Sequence, residues 1–228
     1  MAKTLFVVGT GTDVGKTYVS GLLVKGLREA GEKAAYYKAA MSGNQRGPDG
    51  RLIPGDGVQV KTMGGISQPV ETMCPYVYEP PLSPHLAARL AEEQVDLARV
   101  RAGFQALAAE YDYLTMEGSG GILCPLAVDG ARELWLADLI RDLDLGCLLV
   151  ADAGLGTLNA IGLTAFYLRE TGIPLRGIVL NHYDPENLMH QDNRQLCQSM
   201  TGVPVVACVK TGDRRLDLPP EALKALYE

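Results

Sequence analysis

The segment Gly9-Thr10-Gly11-Thr12-Asp13-Val14-Gly15-Lys16-Thr17 constrains this chain more than any other feature. It follows an apolar run of strand formers, Thr4 to Val8. It precedes Lys16 to Ala30, where Val19, Leu22, Leu23 and Leu27 recur at helical spacing and Gly31 supplies a stop. A glycine-rich turn that joins a strand to a helix and closes on Gly-Lys-Thr is the pattern of a phosphate-binding loop. Glycines let the backbone turn its N–H groups inward around an anion, and the helix N-terminus adds its positive end. In such a loop Lys16 reaches the β- and γ-phosphates and Thr17 offers its hydroxyl to Mg²⁺. Five residues separate Gly9 from Gly15, one more than in the common G-x-x-x-x-G-K-[ST] pattern. A ligand-free turn would account for the glycines but not for Gly-Lys-Thr at the helix start.

The rest of the chain alternates in the same way. Strands are expected at Lys33 to Lys38, Tyr111 to Met116, Cys147 to Ala151, Leu175 to Leu180 and Val203 to Val206. Helices are expected at Gly57 to Met63, His85 to Ala91, Val95 to Ala109, Leu158 to Thr171, Asn187 to Met200 and Pro220 to Tyr227. Ser42 to Gly57 is rich in Gly, Pro, Asn and Asp and reads as a long surface loop. Glu117-Gly118-Ser119-Gly120-Gly121 reads as a second glycine-rich turn ending a strand. Strands alternating with helices imply parallel pairing through right-handed crossovers. The expected fold is therefore α/β, a P-loop NTPase fold whose mostly parallel, doubly wound sheet is flanked by helices. At 228 residues and 47% apolar, the chain is expected to form a single domain over 1–228.

Composition narrows the class of partner. The net charge of −6 disfavours a main role on the nucleic-acid backbone, and no aromatic–basic interleaving suggests base stacking. The five cysteines are scattered and form no C-x-x-C pair, which points to reduced thiols and a cytoplasmic setting. No run approaches the roughly 18 apolar residues of a membrane span, and the N-terminus has no signal-peptide architecture.

Ligands in doubly wound sheets bind beyond the carboxyl ends of the strands, and the remaining chemical groups fall there. Mg²⁺ prefers hard oxygen ligands, so a P-loop enzyme needs carboxylates near Thr17. Glu117, at a strand end, is the first candidate, and Asp56 in Pro54-Gly55-Asp56-Gly57 is the second unless it is an ordinary turn aspartate. Asp152 is a rival ligand at another strand end, and Asp13 lies within the loop itself. Lys38 ends a strand, where it would stabilise charge developing on a transferred phosphoryl group. His85, His182 and His190 share no metal spacing.

Taken in order along nearly the whole chain, these segments resemble the dethiobiotin synthetase family. The Gly9 to Thr17 loop matches that family's extended phosphate loop, extra residue included. Lys38-Ala39-Ala40-Met41-Ser42-Gly43 resembles its Lys-Pro-Val-x-Ser/Thr-Gly segment, and Ser83-Pro84-His85 its Pro-His element. Glu117 to Gly121 resembles its Glu-Gly-Ala-Gly-Gly turn, and Leu155-Gly156-Thr157-Leu158-Asn159 a Leu-Gly-x-x-Asn stretch at its dimer interface. Ala39-Ala40 in place of Pro-Val, Ser119 in place of alanine, and Asp13 in place of glutamate depart from the pattern, and Lys210 to Leu218 matches weakly.

The resemblance implies an ATP- and Mg²⁺-dependent enzyme that takes 7,8-diaminopelargonic acid and CO₂ through a carbamate and a carbamic–phosphoric anhydride to dethiobiotin. It implies nucleotide contacts from Gly11, Thr12, Asp13, Val14, Gly15, Lys16, Thr17 and Tyr18, and a base contact from Asn181. Thr17, Asp56 and Glu117 would hold Mg²⁺, while Lys16, Lys38 and Thr12 would act on the reacting groups. Thr12, Lys38, Ser42, Gly118 and Ser119 would line the diamine site. Gly156 to Asn159 of a second subunit would cap the substrate carboxylate, making the enzyme a homodimer with shared sites.

Two relatives within the same ATPase superfamily offer rival readings. Cobyrinic-acid amidotransferase-type synthetases usually carry an added glutaminase domain, for which 228 residues leave no room. Partitioning and septum-positioning ATPases carry a signature lysine early in the loop, where this chain has Gly11.

Overall fold

The computed structural model describes residues 2–130 and 132–227. The chain runs β1 (Lys3–Gly9), α1 (Lys16–Glu29), β2 (Ala34–Lys38), β3 (Ala40–Met41), α2 (Gly55–Gly64), β4 (Tyr76–Val77), α3 (Pro84–Leu90) and α4 (Leu97–Glu110). It continues with β5 (Tyr113–Gly121), β6 (Pro125–Asp129), β7 (Arg132–Trp135), α5 (Leu136–Asp142) and β8 (Cys147–Asp152). The remaining elements are α6 (Thr157–Glu170), β9 (Leu175–Asn181), α7 (Leu188–Thr201), β10 (Val205–Val209) and α8 (Pro220–Lys224).

Six strands form one parallel sheet in the order β10-β9-β8-β1-β5-β2, as the alternating pattern requires. Both faces are covered, so the central strands bury nearly every side chain. Leu5 and Val7 of β1 face a core built with Val19, Leu23 and Leu27 of α1. Phe6 and Val8 face the opposite core, built with Val100 and Phe104 of α4, Ile140 of α5 and Ile161 of α6. From β1 the chain goes out to the edge strand β2 and returns to β5 beside β1, then crosses to β8, β9 and β10 on the other side. The reversal opens a crevice at the carboxyl end of β1, beside β5 and β8.

Three expectations need correction. The Glu117 to Gly121 segment is not a turn: β5 runs on to Gly121, pairing Val7 with Glu117 and Gly9 with Gly121. Gly118 serves packing there, since a Cβ on it would stand 2.8 Å from Leu136 Cδ2 and 2.9 Å from Phe6 Cε1. The loop after Ser42 ends earlier than its composition suggests, because α2 starts at Gly55 and takes Asp56 into its first turn. The last sheet strand is shifted to Val205–Val209, and Pro204, which has no N–H, contributes only its carbonyl, accepting from Ile178 N at 2.9 Å. The sequence reading assigns nothing between Gly121 and Cys147, where the structure has the antiparallel hairpin β6–β7 and then α5.

One contact carries α2 into place. Small residues let α1 and α2 approach closely: a Cβ on Gly21 would lie 3.0 Å from Met63 Sδ, and one on Gly64 only 2.8 Å from Val24 Cγ1. Val24 is β-branched and fully buried, so it has little room to yield. Alanine is the better helix former by about 1 kcal/mol, but overpacking a filled contact costs about 1–3 kcal/mol. Gly64→Ala is therefore expected to lower stability by about 1 kcal/mol, read from the midpoint of urea unfolding. A raised midpoint would mean that α1 and α2 have room to part.

Candidate active site

The turn after β1 forms a concave loop whose shape depends on two residues outside ordinary backbone space. Gly15, the residue capping α1, has φ of 92°. A Cβ there would also stand 2.0 Å from Asn181 Nδ2, so the position demands glycine twice over. Asp13 takes a left-handed φ of 59°, which aspartate tolerates better than most residues. Behind the loop Asn181, at the end of β9 and only 2% exposed, donates from Nδ2 to the Val14 carbonyl at 3.1 Å. No side chain caps the N-terminus of α1, whose first turn carries no acidic residue. The positive end of the helix therefore points at the loop's hollow, the usual seat of a phosphate.

Lys16 folds back across this hollow. Its Nζ donates to the Gly11 carbonyl at 2.7 Å, and a Cβ on Gly9 would come within 3.0 Å of that nitrogen. Burial, and after it the charge of Lys38, holds the Lys16 ammonium below the ordinary lysine range.

Beside the loop stands a compact ionic group drawn from four elements. Glu117, 1% exposed on β5, accepts from Thr17 Oγ1 at 2.9 Å and from Lys38 Nζ at 2.7 Å, both on its Oε1. Its Oε2 accepts from the Tyr36 hydroxyl at 2.8 Å. Lys38 also reaches Asp56 Oδ2 at 2.6 Å. Burial alone would depress the Lys38 ammonium, but the Glu117 and Asp56 carboxylates outweigh it and hold it above the ordinary range. Burial first, and the Glu117 carboxylate next, raise the Tyr36 phenol well above its usual value, so it remains a donor.

Most residues singled out in the sequence meet in one cleft of about 750 Å³. Thr12, Asp13, Gly15, Lys16, Thr17 and Tyr18 line one wall. Lys38, Ser42, Asp56, Glu117 and Ser119 line another. Gly11 and Val14 contribute carbonyls to the loop's internal bonds, to Lys16 and to Asn181. The Tyr18 hydroxyl donates to the Asp213 carbonyl, tying the loop after β10 to α1. Ser119 Oγ donates to the Ala40 carbonyl at 2.9 Å, so two departures from the family pattern are joined by one hydrogen bond.

Other candidates lie elsewhere. Asp152 does not join the ionic group: its Oδ2 is 2.7 Å from His182 Nδ1 and its Oδ1 accepts from Gly154 N. Gly118 faces the core rather than the cleft. Gly156 and Asn159 sit exposed at the start of α6, next to Leu155 at 95% exposure, and do not line the cleft of their own chain.

Sequence reasoning overlooked Tyr36 and Cys124. Tyr36 precedes Lys38 by two residues on β2 and so shares its face, a parity argument that would have found it. Cys124 follows β5 and lines the cleft, but nothing in its sequence surroundings signals that.

The oxygen set suits Mg²⁺. Two carboxylates and one hydroxyl converge, with the Lys38 ammonium already bridging the carboxylates, which marks the spot as one that attracts a cation. Mg²⁺ characteristically takes one or two carboxylates and leaves its remaining positions to phosphate and water.

Comparison with known proteins addresses the fold and the family. The family described as an AAA domain matches residues 3–214. The ATP-dependent dethiobiotin synthetase BioD of Clostridium botulinum (strain Loch Maree / Type A3) is 39% identical over 228 residues, covering 100% of this chain and 99% of that protein. That of Brachyspira hyodysenteriae is 38% identical, with 100% of both chains covered. Among solved structures, a ParA family ATPase from Chlorobium tepidum superposes with a TM-score of 0.52 at 12% identity, covering 99% of this chain and 90% of that one. The MinC:MinD complex of Aquifex aeolicus gives 0.56 at 10% identity, covering 92% and 81%. At such low identity these structures speak for the P-loop ATPase fold alone. The full-length likeness to curated relatives goes further: the chain belongs to the ATP-dependent dethiobiotin synthetase family.

Proposed function

We propose that this cleft carries out the ATP-dependent closure of a ureido ring on 7,8-diaminopelargonic acid, the dethiobiotin-forming step of biotin biosynthesis, with residues 1–228 acting as one catalytic unit in the cytoplasm. The observation that carries the reading is the meeting of Thr17, Glu117, Asp56 and Lys38 within 2.9 Å contacts at the mouth of the phosphate loop. A protein nucleophile is not needed for such chemistry. One substrate amine takes up CO₂, losing a proton to become a carbamate. A carbamate oxygen attacks the γ-phosphorus of ATP as the bond to the β-phosphate oxygen breaks, releasing ADP. The second amine then attacks the carbamoyl carbon, phosphate departs, a proton is lost and the ring closes.

The protein's task is to hold two substrates in line and to balance charge. The loop N–H groups and the start of α1 suit the triphosphate, with Lys16 and Lys38 flanking the transferred group. Thr12, Lys38, Ser42 and Ser119 suit the carbamate and diamine. Mg²⁺, held by Thr17, Asp56 and Glu117, would supply a Lewis acid on the phosphate oxygens. Asn181, braced against Gly15, supports the nucleotide site from behind. Gly156 and Asn159 lie exposed, which supports the backbone of this segment acting on the substrate carboxylate in the cleft of a second subunit, in a homodimer.

The purified protein with ATP, Mg²⁺ and bicarbonate is expected to release phosphate only when 7,8-diaminopelargonic acid is added, with dethiobiotin visible by mass spectrometry. Phosphate release indifferent to the diamine would remove the substrate assignment. Lys16→Met is expected to cut turnover at least about a hundredfold. The same change should raise the unfolding temperature of nucleotide-free protein by about 2 °C. The sign follows from the depressed Lys16 value: its charge opposes folding at neutral pH, and the penalty fades as pH rises through the folded value toward the ordinary 10.5. A large loss of stability in that variant would contradict the burial argument.

A further inference from the structure

Glu117 is the buried hinge of the cluster, and its two oxygens have different neighbours. Oε1 faces Thr17 and Lys38, the side on which a cation would sit. Oε2 faces away and meets a single donor, the Tyr36 hydroxyl at 2.8 Å. The terminal torsion of a glutamate is broad and nearly two-fold, so packing alone defines poorly which oxygen points where. Mg²⁺ tolerates little departure from octahedral geometry, so the aim of a monodentate carboxylate matters to its binding.

Tyr36 is itself held unusually firmly for a residue on an edge strand. β2 ends the sheet, and its outer edge would leave backbone groups unpaired. The fully buried side chain of Gln68 fills that gap as a strand would: Oε1 accepts from Tyr36 N at 2.8 Å, and Nε2 donates to Tyr36 O at 3.0 Å. Gln68 is anchored in turn, its Nε2 reaching Thr72 Oγ1 at 3.1 Å and its carbonyl accepting from Lys61 Nζ at 2.8 Å. The Tyr36 ring is completely buried, so the hydroxyl has one place to go.

We propose that Tyr36 is a positioning residue for the metal site, clamping Oε2 of Glu117 so that Oε1 alone is presented beside Thr17, with Gln68 fixing the clamp to the sheet edge. This rests on the reading of Thr17, Asp56 and Glu117 as the Mg²⁺ ligands. Tyr36 touches neither substrate nor metal in this arrangement. It acts through Glu117, as hydrogen-bond partners behind metal ligands commonly do, and losing such a partner typically costs 10–100-fold in metal affinity.

The test is binding of a fluorescent ATP analogue to the full chain, titrated with Mg²⁺ and repeated in EDTA. Tyr36→Phe is expected to raise the Mg²⁺ concentration for half-maximal tight binding about tenfold or more, while binding in EDTA changes less than about twofold. Tyr37→Phe controls for loss of a buried hydroxyl: the Tyr37 hydroxyl donates to the Val100 carbonyl at 2.9 Å, on the opposite face of β2 from Tyr36. It should lower the unfolding temperature without moving the Mg²⁺ midpoint. Gln68→Met, which frees the Tyr36 backbone but keeps its hydroxyl, should move the midpoint in the same direction by a smaller factor, and it carries the test if Tyr36→Phe does not fold. A Mg²⁺-dependent wild type with unmoved midpoints in Tyr36→Phe and Gln68→Met would overturn the clamp. A wild type whose nucleotide binding ignores Mg²⁺ would instead overturn the metal reading, and the clamp with it.

Discussion

The Lys38 ammonium held between Glu117 and Asp56 is the contact on which the cleft depends. It joins β2, β5 and α2, three elements far apart in sequence, at one buried point. Burying a lone carboxylate or ammonium is costly, and the cluster offsets this only because each charge has a partner and further hydrogen bonds. Glu117 is satisfied on both oxygens, by Thr17 and Lys38 on one side and Tyr36 on the other. Removing Lys38 would leave the buried Glu117 carboxylate with hydrogen bonds but no counter-charge, so stability and chemistry are tied to the same ion pair.

Around that point the fold supplies aim rather than chemistry. The parallel sheet places the carboxyl ends of β1, β2 and β5 side by side, with register pairing Val7 to Glu117 and Lys38 to Glu117. Thr17 follows in the first turn of α1, and the glycine contacts between α1 and α2 draw Asp56 inward. Asn181 arrives from β9, on the far side of β1, and braces Val14 and Gly15. Both sides of the reversal in strand order thus meet at the phosphate loop.

Much of this is legible in the sequence alone. The loop, Lys38 and Glu117 are visible because strand-to-helix junctions leave a local signature of apolar runs, glycines and charged ends. Asp56 was visible but ambiguous, since a turn aspartate and a helix-borne ligand look alike in a Pro-Gly-Asp-Gly segment. The misreading of Glu117 to Gly121 as a turn has a clear cause. Gly118 makes room for Phe6 and Leu136, and the need for space and the need for a turn write the same letters. Parity places Tyr36 on the face of Lys38, but its hydrogen bond to Glu117, 81 residues away, is set by strand pairing.

Local sequence by itself determined the alternation of strands and helices, the parallel doubly wound class and the phosphate loop, because periodicity and backbone constraints act over a few residues. Resemblance along the whole chain pointed to the chemistry. Only the tertiary structure decided which carboxylates gather, that Asp152 pairs with His182 instead, and that Asn181, Tyr36 and Gln68 stand behind the loop and the cluster. Those outcomes depend on strand order and register, which bring residues dozens to more than a hundred positions apart within hydrogen-bonding distance, and no local pattern records such a meeting.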